Sequence, residues 1–232
     1  MSSLPKTARI AGLLYLLMVF TGLFSLMYVP GQLSGHGNAQ ATLDNLLTHA
    51  TLVRVDLAVS LVTLVLFLSV VLALYQLFKD VNRPYAVLMV ILVLIQLGQT
   101  FVCQLLEFGA LELVRGADLL SSIDKPQRDA LALFCLHLTG KSSIFSELLW
   151  GLWLFPLGAL VYRSGFLPRF LGVWLLINGI AYVLMCFLNL FLPDLASTVF
   201  KFAFPAMLGE LVFTLWLLIM GIRPRVPAPA AG

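Results

Sequence analysis

Six stretches of about twenty apolar residues recur along this chain of 232, and a segment of that kind has one natural solvent. An α-helix rises 1.5 Å per residue, so about twenty residues cross a hydrocarbon layer of roughly 30 Å. The spans are expected at about Ile10 to Tyr28, Leu52 to Phe78, Pro84 to Leu106, Ile144 to Tyr162, Pro168 to Leu192 and Phe202 to Ile222. The apolar residues run on without alternating, which excludes the period-two pattern of a membrane β-barrel strand. Only helices satisfy their own backbone groups within one segment in lipid. The composition agrees, because 61% hydrophobic and 11% charged residues leave too little polar surface to cover a soluble core. The fold class expected is therefore all-α: a polytopic membrane bundle of six transmembrane helices with short helices in the outer loops. Residues 1–222 form a single transmembrane domain in this reading, and 223–232, rich in proline and alanine, a disordered cytoplasmic tail.

The first span begins like a signal peptide, with Lys6 and Arg9 ahead of an apolar run. That run is too long for a signal core, and Tyr28-Val29-Pro30-Gly31 is no small-residue cleavage site, so the span is expected to be retained. Orientation follows from the basic residues near span ends. Lys6, Arg9, Lys79, Arg83, Arg163, Arg169, Arg223 and Arg225 fall on one side. Arg115, Lys125, Arg128, Lys141 and Lys201 fall on the other, with Arg54 at the outer mouth of the second span; most lie in one long loop that also carries Asp118, Asp124 and Asp129. Both termini are expected in the cytoplasm. Within the outer loops, Leu43, Leu46, Leu47 and Ala50 have helical spacing. Asp124, Pro126 and Gln127 look like a helix start, with the helix running to about Leu138 and stopping at Gly140.

The residues that carry information are polar groups inside the spans, each costly there without a partner. Gln96, Gln99, Cys103 and Glu107 make one stripe on the third span, and Asn178, Tyr182, Cys186 and Asn189 another on the fifth. Asp56, Ser60 and Thr63 share a face of the second; Ser143, Glu147 and Gly151 line up on the fourth. Counted from the span ends, these groups fall in the middle or outer half, which implies an outer polar pocket above a dry inner plug. Glu210 stands out: it lies about 12 Å inside the sixth span, where a charged acid costs roughly 2.5–3.5 kcal/mol on insertion scales. It must be protonated, paired or wet. Two readings of it stand side by side, a titrating functional group and a hydrogen-bonded packing acid. Arg54 and Asp56 could bring a salt bridge to the pocket, or Arg54 could snorkel to the surface. The candidate ligand-binding residues are Glu210, Gln99, Glu107, Asn178, Tyr182, Asp56 and Arg54.

Local sequences then become informative as a set. Arg9 to Leu16 (RIAGLLYL), Trp150 to Gly158 (WGLWLFPLG), Arg163 to Gly172 (RSGFLPRFLG) and Gly209 to Leu218 (GELVFTLWLL) resemble the bacterial domain-of-unknown-function family 4386. The resemblance covers nearly the whole chain and implies an integral protein of the bacterial cytoplasmic membrane. It carries over no functional residues. An acidic residue often falls about where Ser60 stands in that family, so Ser60 departs from its pattern. A weak internal echo, Arg9 to Leu13 against Arg169 to Val173, reads either as a duplicated hairpin or as two helices that each need an inner arginine and a small packing residue.

Nucleotide loops, HExxH, CxxC and Gly-x-Ser-x-Gly are absent from the sequence. No catalytic residue, metal site or cofactor is assigned, and no basic patch suits nucleic acid. The lone His137 reads as a lid residue. Cys103, Cys135 and Cys186 read as buried thiols. The expected function is binding or sensing of a small amphipathic ligand or lipid head group, with membrane lipids as partners. The alternatives are a proton-coupled transporter using Glu210, against which no span shows an internal break, and a membrane enzyme using Glu210, Glu107 and His137. A partner role toward another membrane protein is also compatible. The topology is directly testable: reporter fusions after Phe78 and at Gly232 should read cytoplasmic, and fusions at Gly35 and Ser122 external. An external signal from the loop between Arg163 and Arg169 would overturn it.

Overall fold

The structure, a computed structural model, describes residues 4–35, 37–117 and 120–222; the expected tail at 223–232, with Arg223 and Arg225, and Asp118 lie outside them. The chain is all-α, with no strand among the described residues, and has six helical segments long and apolar enough to cross a membrane. The first comprises α1 (Leu4–Leu23), a π-helical turn at Phe24–Tyr28 and α2 (Val29–Leu33). A short α3 (Ala39–Thr48) follows, then α4 (Ala50–Phe78), α5 (Arg83–Arg115), α6 (Lys125–Ser164) and α7 (Arg169–Phe191). The last segment is split into α8 (Pro193–Met207) and α9 (Gly209–Ile219). Large apolar side chains such as Phe20, Val65, Phe191 and Phe202 point outward and are more than half exposed, as a lipid-facing surface requires.

Several boundaries differ from the sequence reading: α5 runs on to Arg115 and the last segment starts already at Pro193. The first span does not end at Pro30. The widened π turn just before it accommodates a residue that has no N–H to donate, and the helix continues to Leu33. Gly140 does not stop the loop helix. Asp124 does cap it, its Oδ1 accepting from the Gln127 amide at 2.9 Å, but the helix then runs unbroken through the fourth span. Around Gly140 the hydroxyls of Ser142 and Ser143 donate to the carbonyls of Thr139 and Gly140, adding side-chain bonds to the ladder. The sixth span, expected to be continuous, breaks at Leu208. The interruption is one residue long, and the next helix starts at Gly209.

The chain forms two compact units. One takes the described parts of Met1–Leu16, Phe67–Ile95 and Glu147–Gly232. One close seam in it is glycine on glycine between α6 and α7. A Cβ at Gly151 would lie 2.7 Å from the Gly179 carbonyl, and one at Gly172 would lie 2.7 Å from the Gly158 carbonyl. Small residues let two backbones approach this closely in lipid. Gly12 plays the same part against α9, where an added Cβ would meet the Leu218 backbone nitrogen at 2.6 Å. Gly12 and Gly172 are the echoed glycines of the sequence, so a shared need for a small packing residue accounts for the echo. The RSGFLPRFLG stretch is the α6–α7 turn. Ser164 Oγ donates to the Val161 carbonyl, Gly165 takes a left-handed φ of 70°, and Pro168 opens α7. Arg163 and Arg169 stack over the rings of Tyr85 and Tyr162 at 5.2 and 5.6 Å.

The other unit takes Leu17–Leu66 and Gln96–Ser146. Its core is a cluster of Leu43, Leu46, Val53, Ala110, Leu111 and Ala132, with Leu133 and Leu136 packed against it. Asn38 caps α3 through its side chain, and Leu43 and Leu46 are buried as their spacing foretold. Leu131 and Phe134 of α6 are exposed, leaving an apolar face on that helix.

The glycine seam makes a contrast testable. Gly172→Val should destabilise the protein by about 1–3 kcal/mol through overpacking against backbone. Gly98, beside which an added Cβ would meet nothing within 4 Å, should accept alanine without loss of stability. Thermal unfolding in one detergent compares the two, and equal melting temperatures would refute the seam.

Candidate functional site

The candidate residues fall into two sets, one in each unit. Around the break in the sixth span stand Asn178, Tyr182 and Glu210. At the end of α8, α7 supplies two side-chain donors to backbone carbonyls. Trp174 Nε1 donates to the Ala206 carbonyl at 3.1 Å, and Asn178 Nδ2 donates to the Met207 carbonyl at 3.3 Å. Gly209 packs closely here: a Cβ would lie 3.0 Å from the Trp174 ring. Asn178 is fully buried, and its Oδ1 has no hydrogen-bond partner.

Glu210 sits in the first turn of α9, where the helix dipole favours an acid. Its Oε1 accepts a short hydrogen bond from the hydroxyl of Tyr15 on α1, a side chain only 1% exposed. Tyr182 lies within electrostatic reach of both Glu210 and Glu147 and packs edge-on against Trp150 at 5.6 Å. Thr214 Oγ1 donates to the Glu210 carbonyl at 2.8 Å. Nearby on the α6–α7 pair, Asn189 Nδ2 donates to both carboxyl oxygens of Glu147, at 3.2 and 2.9 Å. Sequence reasoning placed Glu147 and Asn189 on their stripes but joined neither to a site. It missed Tyr15 altogether; the signal available was a tyrosine hydroxyl in the middle of an apolar span.

In the other unit, Gln99 is engaged by α6: its Oε1 accepts from Ser146 Oγ at 3.1 Å, and its Nε2 donates to the Ser142 carbonyl at 3.4 Å. Glu107 lies within electrostatic reach of Asp56. Asp56 is 4% exposed, with Oδ1 unpartnered. Ser25 and Ser60 are linked at 3.3 Å.

Arg54 lines a groove of about 480 Å³ between α4 and α5. Leu57, Ala58 and Leu61 follow Arg54 along one wall; Phe101, Gln104, Leu105, Phe108 and Glu112 form the other. Both walls repeat at three and four residues, so each is a single helix face. Because the helices are sequential and antiparallel in the groove, Arg54 and Glu112 mark its polar end and Leu61 and Phe101 its apolar end. Gln104 is 9% exposed and its Nε2 has no acceptor. Glu112 pairs with Arg115 at 3.8 Å, whereas no ion pair engages Arg54 among the described residues. Gln104 escaped the sequence reading because it lies one position off the Gln99–Cys103 stripe. His137 is exposed on α6, all three cysteines are free thiols, and no cluster of three metal-ligating side chains occurs among the described residues.

These arrangements can be set beside known proteins. The profile of the domain-of-unknown-function family DUF4386 matches residues 10–221. The chain belongs to that family. A protein of Archaeoglobus fulgidus described as uncharacterized is 34% identical over 93 residues, which is 39% of this chain and 54% of the relative. The chain thus matches about half the length of that relative. No solved structure matches.

The Tyr15–Glu210 bond is separable from the rest by mutation. Tyr15→Phe should destabilise the protein by about 0.5–2 kcal/mol. It should also shift the carboxyl infrared band that Glu210→Gln removes. A double-mutant cycle with zero coupling and an unmoved band would show that the two groups do not interact.

Proposed function

We propose that this protein binds a membrane lipid in the α4–α5 groove, with a zwitterionic head group at the Arg54–Glu112 end and an acyl chain along Leu57, Leu61, Phe101 and Phe108. The observation that carries the reading is Gln104 Nε2, a buried donor without an acceptor in the groove wall, beside an arginine without an acid. Leaving such a donor unsatisfied costs about 1–3 kcal/mol, so the groove favours an occupant that brings acceptor oxygens. A phosphodiester brings several and suits an arginine. Glu112 gives a head-group ammonium its counter-charge. The apolar walls match a hydrocarbon chain and offer nothing to a water-soluble anion.

Binding or sensing, rather than catalysis, follows from the donor set, because no nucleophile with an adjacent base lines the groove. In this proposal the protein sits in a bacterial cytoplasmic membrane with both termini inside. The basic residues near span ends support that orientation, and it puts Arg54 at the outer head-group level.

The experiment is native mass spectrometry of the full chain with equimolar phosphatidylethanolamine and phosphatidylglycerol. Wild type should retain the ethanolamine lipid preferentially. Arg54→Ala and Gln104→Leu should each weaken retention about five- to tenfold, equivalent to roughly 1–1.4 kcal/mol. Retention unchanged in both variants would sink the reading.

A further inference from the structure

The break in the sixth span has chemistry that lipid binding does not use. An interrupted helix in a membrane leaves carbonyls facing inward at the end of one half and N–H groups at the start of the other, and such interruptions recur where small ligands bind. Here the carbonyls of Ala206 and Met207 are met by Trp174 and Asn178. What remains unmet is Asn178 Oδ1, on a side chain with no exposed surface. The Nδ2 bond to Met207 fixes which way the amide faces, since the flipped amide would set oxygen against oxygen. Oδ1 is therefore an acceptor held at the break, awaiting a proton donor or a cation.

The second group is Glu210, three residues beyond Met207 on α9. Tyr15 donates to one of its two carboxyl oxygens. No Lys, Arg or His acts on it among the described residues. The break thus holds a carboxyl group without a cationic side chain among the described residues, an amide oxygen without a donor, and the carbonyl end of α8.

We propose that the break binds one sodium ion, with Glu210 as the anionic ligand and Asn178 Oδ1 as a neutral one. Hard oxygen donors of this kind suit an alkali cation, and no three-residue His, Cys, Asp or Glu cluster that would select a transition metal occurs among the described residues. A monovalent ion also matches the single charge of Glu210 without excess. The site lies wholly in the unit that holds α7, α8 and α9, so it stands or falls independently of the lipid groove. It also removes the argument against a carrier that an unbroken sixth span would have supplied.

The test is thermal unfolding of the full chain in nanodiscs, titrated with sodium chloride against choline chloride at constant ionic strength. Sodium should raise the melting temperature saturably by about 2–4 °C, and choline should not. Asn178→Leu and Glu210→Gln should each abolish the rise. If Glu210→Gln fails to fold, the wild-type comparison and the broadening of the sodium-23 resonance by wild type still decide. Identical melting curves in the two salts, the result expected if only water fills the break, would overturn the proposal. A sodium-specific rise that persists in Asn178→Leu would overturn the ligand assignment.

Discussion

Every backbone N–H and C=O in a lipid-facing chain needs a partner within the protein, and this requirement governs where the structure is regular and where it departs from regularity. For most of its length the chain meets it with uninterrupted helix. At two places it does not. Proline takes a donor out of the first segment at Pro30 and out of the last at Pro205. The first is absorbed locally by a π turn. The second stays within α8; the helix is interrupted only at Leu208, where Trp174 and Asn178 of the neighbouring α7 bond the carbonyls of Ala206 and Met207. The polar side chains of the fifth span are thereby partly explained as donors to backbone carbonyls. That explanation covers Asn178 Nδ2 and leaves its Oδ1 over.

The same principle separates the structural polar groups from the candidate functional ones. Glu147 is matched by Asn189 on both oxygens, and Gln99 is matched by Ser142 and Ser146 on both ends of its amide. These groups tie helices together and have little capacity left. Gln104, Asn178 and Asp56 are buried with an atom unspent.

The six spans and the all-α class were legible from apolar length alone, because the bilayer imposes one scale on every span. The caps at Asn38 and Asp124, the burial of Leu43 and Leu46 and the close packing of Gly12 and Gly172 were legible from local chemistry. Ends and breaks were not. Gly140 and Pro30 look like terminators, yet the helix passes both, and Pro205 looks tolerable, yet the helix breaks just after it. The difference lies in what neighbouring elements offer the freed groups, which no local window contains. For the site, the sequence singled out Asn178 and Glu210, and the structure shows the hydrogen bonds that each makes. Tyr15 and Gln104 were passed over because hydrogen-bond capacity depends on partners distant in sequence. The glycine seam was hidden for a related reason: Gly151, Gly158, Gly172 and Gly179 are unremarkable singly and matter only as facing pairs.

That seam has a consequence for biogenesis. Between α6 and α7 much of the contact is backbone against backbone, so little side-chain freedom is lost when the two helices meet. They are joined by a turn of a few residues whose conformation Ser164, Gly165 and Pro168 already prescribe. As the nascent chain leaves the translocon, α6 and α7 can close as a hairpin before α8 and α9 have been synthesised. The hairpin then offers Trp174 and Asn178 as waiting donors, and the last segment acquires its break by threading against a template already in the membrane.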